Sequence, residues 1–265
     1  IEADGYTQGE NEKVLYEGDY VISQKDATTA TANTITVNGG NPTITLNGVN
    51  IKGAPAILVD ANVTLLLADG SKNSVEGQSD RPGIEVCKNS TLTIDVPTGG
   101  AGTGTLYAKG NSNAAGIGGT NQKDSLGVAG GRTFGSVVIN GGTITAACGG
   151  AAHAIGTGYG THMTAITVNG GTIISEKNNA LGTSYHPNQG SGTITINGGK
   201  IVTVNKDAAL QVGKNGTITI APNAVITGGA ASYKKGSTQY DRTQIKIWGT
   251  GAEQKNATVT VTVDG

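Results

Sequence analysis

Apolar and polar residues alternate with a period of two over short stretches along most of the chain, as in Ile166-Thr-Val, Thr172-Ile-Ile and Ile194-Thr-Ile. A period of two places successive side chains on opposite faces of an extended strand, and the β-branched residues abundant here pack well on such a surface. The stretches are short and bounded by Gly, Asn and Asp, which supply turns. No run of ten or more residues carries helical periodicity. The pattern predicts an all-β chain built from many short strands.

The strands recur in register with themselves. Ile57-Leu-Val-Asp-Ala-Asn-Val-Thr-Leu-Leu-Leu67, Ile84-Glu-Val-Cys-Lys-Asn-Ser-Thr-Leu-Thr-Ile94 and Leu210-Gln-Val-Gly-Lys-Asn-Gly-Thr-Ile-Thr-Ile220 fit one template of apolar, Val, Asn and Thr positions. A second template is Ile35-Thr-Val-Asn-Gly-Gly40, Val137-Val-Ile-Asn-Gly-Gly142, Ile166-Thr-Val-Asn-Gly-Gly171 and Ile194-Thr-Ile-Asn-Gly-Gly199, with 29 residues from Gly142 to Gly171 and 28 from Gly171 to Gly199. Self-similarity at this period is the mark of a solenoid. Asn-Gly-Gly between two strands also fits a hairpin turn, but an ordinary antiparallel protein would not repeat one apolar register and one turn about every 28 residues.

The fold class expected is therefore a right-handed parallel β-helix of about eight coils with capped ends. Its coils should occupy residues 35–230, with capping strands in 1–34 and 231–265, all in one structural domain. Stacking about 4.8 Å apart would make Val37, Ile139, Val168 and Ile196 one internal apolar ladder. Asn38, Asn140, Asn169 and Asn197 would then mark a turn whose first residue tolerates a left-handed backbone.

Composition narrows the possible partners. With 44 glycines and 6 prolines among interspersed apolar residues, the chain reads as folded with Gly at turns, not as collagen-like or disordered. Charged residues are only 14% and the net charge is −1, which excludes a basic surface for nucleic acid. The longest apolar runs, such as Val63 to Ala68, fall far short of the roughly 20 residues a membrane helix needs. Ile1 follows neither a methionine nor a charged-then-apolar leader, a start that a processed signal peptide or a trimmed chain would each give. Cys87 and Cys148 are the two cysteines; a disulfide is open to them, and two buried free thiols are the plainer expectation.

Candidate chemistry gathers after a third repeated element, Ala115-Gly-Ile-Gly118, Ala154-Ile-Gly156 and Ala180-Leu-Gly182. Each is followed by a long loop, Gly119 to Gly135, Thr157 to Thr164 and Thr183 to Gly192, and loops leaving the same point of three coils should share one side. They carry Lys123, Asp124, Arg132 and Phe134, then Tyr159 and His162, then Tyr185 and His186, with His153 just before the second element. Tyr159 and Tyr185 each lie three residues past the closing glycine, so in register they would form an apolar platform. A sugar presents an apolar C–H face and a hydroxyl rim, which Tyr and the polar groups would respectively match.

Other chemistry finds less support. No His-x-x-x-His or Cys-x-x-Cys spacing backs a metal site on His153, His162 and His186. Calcium held by loop carboxylates and carbonyls is compatible with its oxygen preference, though no Asp-x-Asp-x-Asp-Gly loop occurs, and no other cofactor is expected. Asp80 with Glu85, Asp95 and Asp124 are the carboxylates considered for paired acid and base work, with Asp95 expected to face outward from a sheet. No Gly-x-Ser-x-Gly elbow or phosphate loop is present, and Gly116-Ile-Gly-Gly119 lacks the helix a dinucleotide loop requires.

The run Ala-Gly-Ile-Gly-Gly, Val-Val-Ile-Asn-Gly-Gly-Thr-Ile-Thr-Ala and Ala-Ile-Gly-Thr-Gly resembles the glycine-rich repeats of large surface proteins of gut and other Gram-positive bacteria. Thr43-Ile-Thr-Leu-Asn-Gly-Val-Asn-Ile51 through Asp69-Gly-Ser-Lys-Asn-Ser-Val-Glu76 is similar to bacterial carbohydrate-binding β-helix domains related in fold to pectate lyases. The resemblance covers about residues 35 to 230. It implies an extracellular or cell-surface, non-catalytic module that binds a polysaccharide or a host or plant glycan, alone or within a larger surface protein. The enzymes among those relatives use clustered calcium-binding Asp residues and an Arg or Lys base. That set does not fall on matching positions here, and Lys123 and Arg132 lie in a loop. The alternatives are a polysaccharide lyase or glycoside hydrolase on the same face, and a structural spacer.

Overall fold

The computed structural model of the protein describes residues 12–15, 18–121, 133–184, 192–204, 208–228, 232–235, 238–241, 245–247 and 258–261. Among them the strands form three parallel sheets, of nine, nine and seven strands, and one two-stranded antiparallel pair. Each turn of the chain visits the sheets in order. Ile57–Val59 lies in the first sheet, Asn62–Leu67 in the second and Lys72–Gly77 in the third. Ile84–Val86 then returns to the first sheet, beside Ile57–Val59. Repetition of this circuit makes a right-handed parallel β-helix, the hand that parallel crossovers adopt.

Alternation decides which residues fill the interior. In Thr91–Asp95, Leu92 and Ile94 are buried while Thr91, Thr93 and Asp95 are partly exposed. Equivalent apolar residues stack, so Ile139 pairs with Val168 and Val168 with Ile196, all three fully buried. Each such side chain contributes about 1.5–3 kcal/mol of hydrophobic stabilisation. Val37 stands outside this ladder: Thr34–Val37 belongs to the first sheet, where Val37 pairs with Val59. Ile-Thr-Val-Asn-Gly-Gly encodes a strand and a turn but not the sheet in which they lie.

The stacked asparagines also differ from expectation in detail. Asn169 Nδ2 donates to Asn140 Oδ1 and Asn197 Nδ2 to Asn169 Oδ1, each at 2.8 Å. Asn140 Nδ2 donates in turn to Asp95 Oδ2 at 3.3 Å, so Asp95 rather than Asn38 extends the column. The left-handed residue of the turn is the second glycine, with φ of +80°, +77° and +79° at Gly142, Gly171 and Gly199. The first template slips as well. Ile57 lies beside Ile84, an offset of 27, but Asn62 lies beside Thr91, an offset of 29. A shift of two residues keeps every side chain on its own face, so the core tolerates it.

The segments expected as caps are outermost strands of the same sheets. Glu12–Leu15 pairs in parallel with Thr34–Val37, and Asp19–Ser23 with Thr43–Asn47. Ile245–Ile247 and Thr258–Val261 extend the first and second sheets at the other end. The parallel stack therefore runs from Glu12 to Val261 rather than over 35–230. In the chain, the antiparallel pair Ser232–Lys235 and Thr238–Asp241 falls between Val225–Gly228 of the third sheet and Ile245–Ile247 of the first.

Candidate functional site

The third repeated element stacks in register: Ile117, Ile155 and Leu181 are neighbours, as are Gly118, Gly156 and Gly182. The segments that follow thus leave one edge of the first sheet on successive turns. Of the nine candidate residues, Lys123, Asp124, Arg132, Tyr185 and His186 lie outside the described residues, and with them one half of the proposed tyrosine pair. Tyr159 is half-buried, and its backbone N–H donates to Asn113 O at 2.9 Å.

Phe134 and His153 are not surface groups. Phe134 belongs to the strand Thr133–Ile139, beside Met163, and is buried in the core. His153 is fully buried, with Nδ1 at 2.9 Å from Thr157 Oγ1 and its ring packed over Gly182 so closely that a Cβ there would overlap it. His162 is half-buried at the start of His162–Val168, and its Nε2 lies 2.7 Å from Thr133 Oγ1. Burial, helped by the charge of Lys88, holds the His162 imidazole below its ordinary value of 6.5.

The described part of this side is a packed polar layer. Thr157, Thr161, Thr183 and Ser184 are fully buried. Gln211 joins them by donating from Nε2 to Ser184 O at 2.9 Å, while its Oε1 accepts from Asn179 Nδ2 at 2.5 Å. Glu85 is also buried here, and Arg81 Nη1 meets its two carboxylate oxygens at 2.7 and 2.8 Å. Asp80 engages through its backbone oxygen, which accepts from Thr120 Oγ1 at 2.6 Å. Neither Asp80 with Glu85 nor Asp95 forms a facing acid and base pair: Glu85 is taken by Arg81, and Asp95 by Asn140. Among the described residues no three His, Cys, Asp or Glu side chains gather into a metal-binding group. Both cysteines are free thiols, Cys87 half-buried and Cys148 buried.

A second site lies on the outward face of the third sheet. A groove of about 420 Å³ runs across five of its strands, lined by Asn50, Ser74, Tyr107, Thr145, Glu176 and Lys72. Asn50, Ser74, Tyr107 and Thr145 are one outward column, in register on consecutive turns. One end is bounded by Ala27, whose carbonyl accepts from Asn50 Nδ2 at 3.0 Å. Glu176 enters through a β-bulge: Ser175 pairs with Ala146 and Lys177 with Ala147, leaving Glu176 as the extra residue. A bulge re-aims a side chain, and here Glu176 lines the same groove as Tyr107, two turns away, where its charge acts on the phenol. Burial first, then the charges of Glu176 and Glu76, raise the Tyr107 phenol above its ordinary value.

No family model matches the chain, and neither a curated protein nor a solved structure matches it. The groove therefore has to be read from its own residues. The alternation in Thr105–Lys109 already places Tyr107 outward. What the sequence did not reveal is its neighbourhood, because Asn50, Ser74, Tyr107 and Thr145 lie in strands of unlike sequence and Glu176 arrives by a bulge. No helix among the described residues is long and apolar enough to cross a membrane.

Proposed function

We propose that the protein is a non-catalytic glycan-binding module working outside the cell, and that it binds along the third-sheet groove. The observation that carries this reading is one groove lined by Tyr107 together with Asn50, Ser74, Thr145, Lys72 and Glu176. A tyrosine ring offers an apolar surface for a sugar's C–H face, and the surrounding hydroxyl, amide and charged groups match the hydroxyl rim. The volume of about 420 Å³ suits a few sugar rings. Hydrogen-bonded strands on five turns hold the site, so little order is lost on binding. The resemblance of the Gly-rich repeats to bacterial surface proteins supports the extracellular setting.

Glycoside hydrolysis is the second reading, favoured by two carboxylates on the same sheet face, Glu176 in the groove and Glu76 beside it. Assay for new reducing ends separates it from binding alone.

The test is a glycan array followed by calorimetry on any ligand found. Tyr107→Ala should weaken binding at least tenfold and Tyr159→Ala should leave it within twofold. Binding that survives Tyr107→Ala refutes the groove.

A further inference from the structure

The dipeptide Asn-Gly occurs six times, beginning at Asn38, Asn47, Asn140, Asn169, Asn197 and Asn215. An asparagine in this setting is open to deamidation by its own backbone, because glycine has no side chain to shield the amide nitrogen that attacks. Two of the six stand in one and the same hexapeptide: residues 35–40 and 166–171 both read Ile-Thr-Val-Asn-Gly-Gly. Any difference in reactivity between Asn38 and Asn169 therefore comes from the fold and not from local sequence.

The fold restrains all of them but Asn38. Gly48 N–H donates to Asn73 Oδ1 at 3.0 Å and Gly216 N–H to Gly213 O at 3.1 Å, which occupies both nitrogens. Gly170 and Gly198 N–H donate to Ile139 O and Val168 O, each at 3.3 Å. The side chains of Asn140, Asn169 and Asn197 are joined in the amide column: Asn169 donates to Asn140 and accepts from Asn197, and Asn140 donates to Asp95. These turns also lie on one another. A Cβ on Gly170 would overlap the Asn140 carbonyl oxygen, and one on Gly198 would overlap that of Asn169, so a ring has no room to close there. Asn38 is exposed, on the turn that leads from the first sheet to the second, and takes no part in the column. Among the described residues no hydrogen bond holds its side chain or the Gly39 N–H, and the glycines that follow it have φ of +114° and +70°.

We propose that Asn38 is a site of spontaneous deamidation and that the amide column spares its counterparts. The Gly39 nitrogen gives up its proton and bonds to Asn38 Cγ; the Cγ–Nδ2 bond breaks, and Nδ2 leaves as ammonia with that proton. Water then opens the succinimide ring at either carbonyl, leaving aspartate or isoaspartate, and nothing is oxidised or reduced. Two adjoining glycines let the turn take up the extra main-chain atom of isoaspartate. The product adds one negative charge, to a chain whose net charge is −1, at the corner between the first and second sheets. Each bond in the column is modest alone, but Asn169 must release two before its Cγ can be reached, which slows the reaction about tenfold or more.

The experiment is incubation of the whole chain at mildly alkaline pH, followed by proteolysis and mass spectrometry of the peptides that hold Asn38 and Asn169. In the folded chain Asn38 should convert about tenfold faster than Asn169 or more, giving isoaspartate as well as aspartate. In the chain unfolded by urea, the two identical hexapeptides should convert within about twofold of each other. The variant Asn140→Ala removes the acceptor of the Asn169 amide, so it should speed Asn169 about fivefold and leave Asn38 unchanged. Equal rates at Asn38 and Asn169 in the folded chain, or conversion of Asn47 or Asn215 ahead of Asn38, overturn the inference. A difference that persists in urea does not come from the fold and overturns it too. An Asn169 rate unmoved by Asn140→Ala overturns the protective role of the column.

Discussion

Replacing Gly156 by alanine probes the register of the stack at its tightest point. Gly156 has φ +135°, a conformation that L side chains rarely adopt, and a Cβ there would overlap the carbonyl oxygen of Gly182 on the next turn. The backbone strain costs about 1–3 kcal/mol. Displacing a neighbouring strand costs about 1–3 kcal/mol more, because the obstacle is backbone and cannot rotate away. Together they predict a loss of about 4 kcal/mol. Gly70 supplies the control, since its φ is +68° but no heavy atom lies within 4 Å of an added Cβ. Gly70→Ala should therefore cost only about 1 kcal/mol, the left-handed penalty alone. Urea unfolding followed by circular dichroism gives both values from the midpoints and a common slope. A Gly156→Ala protein within about 1 kcal/mol of Gly70→Ala would refute the close stacking of Gly156 on Gly182.

Arg81→Ala should destabilise the chain by about 3 kcal/mol, because it strands the buried Glu85 carboxylate; Arg81→Lys should recover only part of this, since an ammonium cannot reproduce the two-oxygen contact. His162 should titrate by NMR below its ordinary value of 6.5. The folded ring binds its proton less tightly than the unfolded one, so its stabilising contribution is intact above the ordinary value and is lost as pH falls through it towards the folded value; a midpoint at or above the ordinary value would contradict the burial described. Burial raises the Cys148 thiol to about 11, so iodoacetamide at mildly alkaline pH should modify the half-buried Cys87 first, as mass spectrometry of the peptides would reveal. Faster labelling of Cys148 would show that its surroundings are open.

The solenoid was legible because its signal is redundant. Any one of Val137-Val-Ile, Ile166-Thr-Val or Ile194-Thr-Ile is a weak strand prediction, but the same register recurring about every 28 residues excludes most other folds. Assignment of a motif to a sheet was less legible. The first Ile-Thr-Val-Asn-Gly-Gly copy lies in the first sheet and the later three in the second. Either sheet demands the same inward Ile and Val, so local sequence does not distinguish them.

The site was legible only in part, for a physical reason. Long loops rich in Tyr, His and charge are the usual bearers of function, and that expectation drew attention to Phe134 and His153. Both instead fill space inside the fold. The third-sheet groove was hidden because an outward Tyr or Lys on a strand looks like ordinary solvated surface. Lys52, Lys109 and Lys177 are 57 and 68 residues apart in the chain, and only the circuit of the stack makes them a column.

The most direct test of the account is a crystal structure of the chain with an oligosaccharide of several sugar units drawn from the glycan array. The account predicts electron density running across the strands of the third sheet, with one ring on Tyr107 and hydroxyls within reach of Asn50, Lys72 and Glu176. Density confined to the side carrying Tyr159 and His162, with the Tyr107 groove empty, would contradict it.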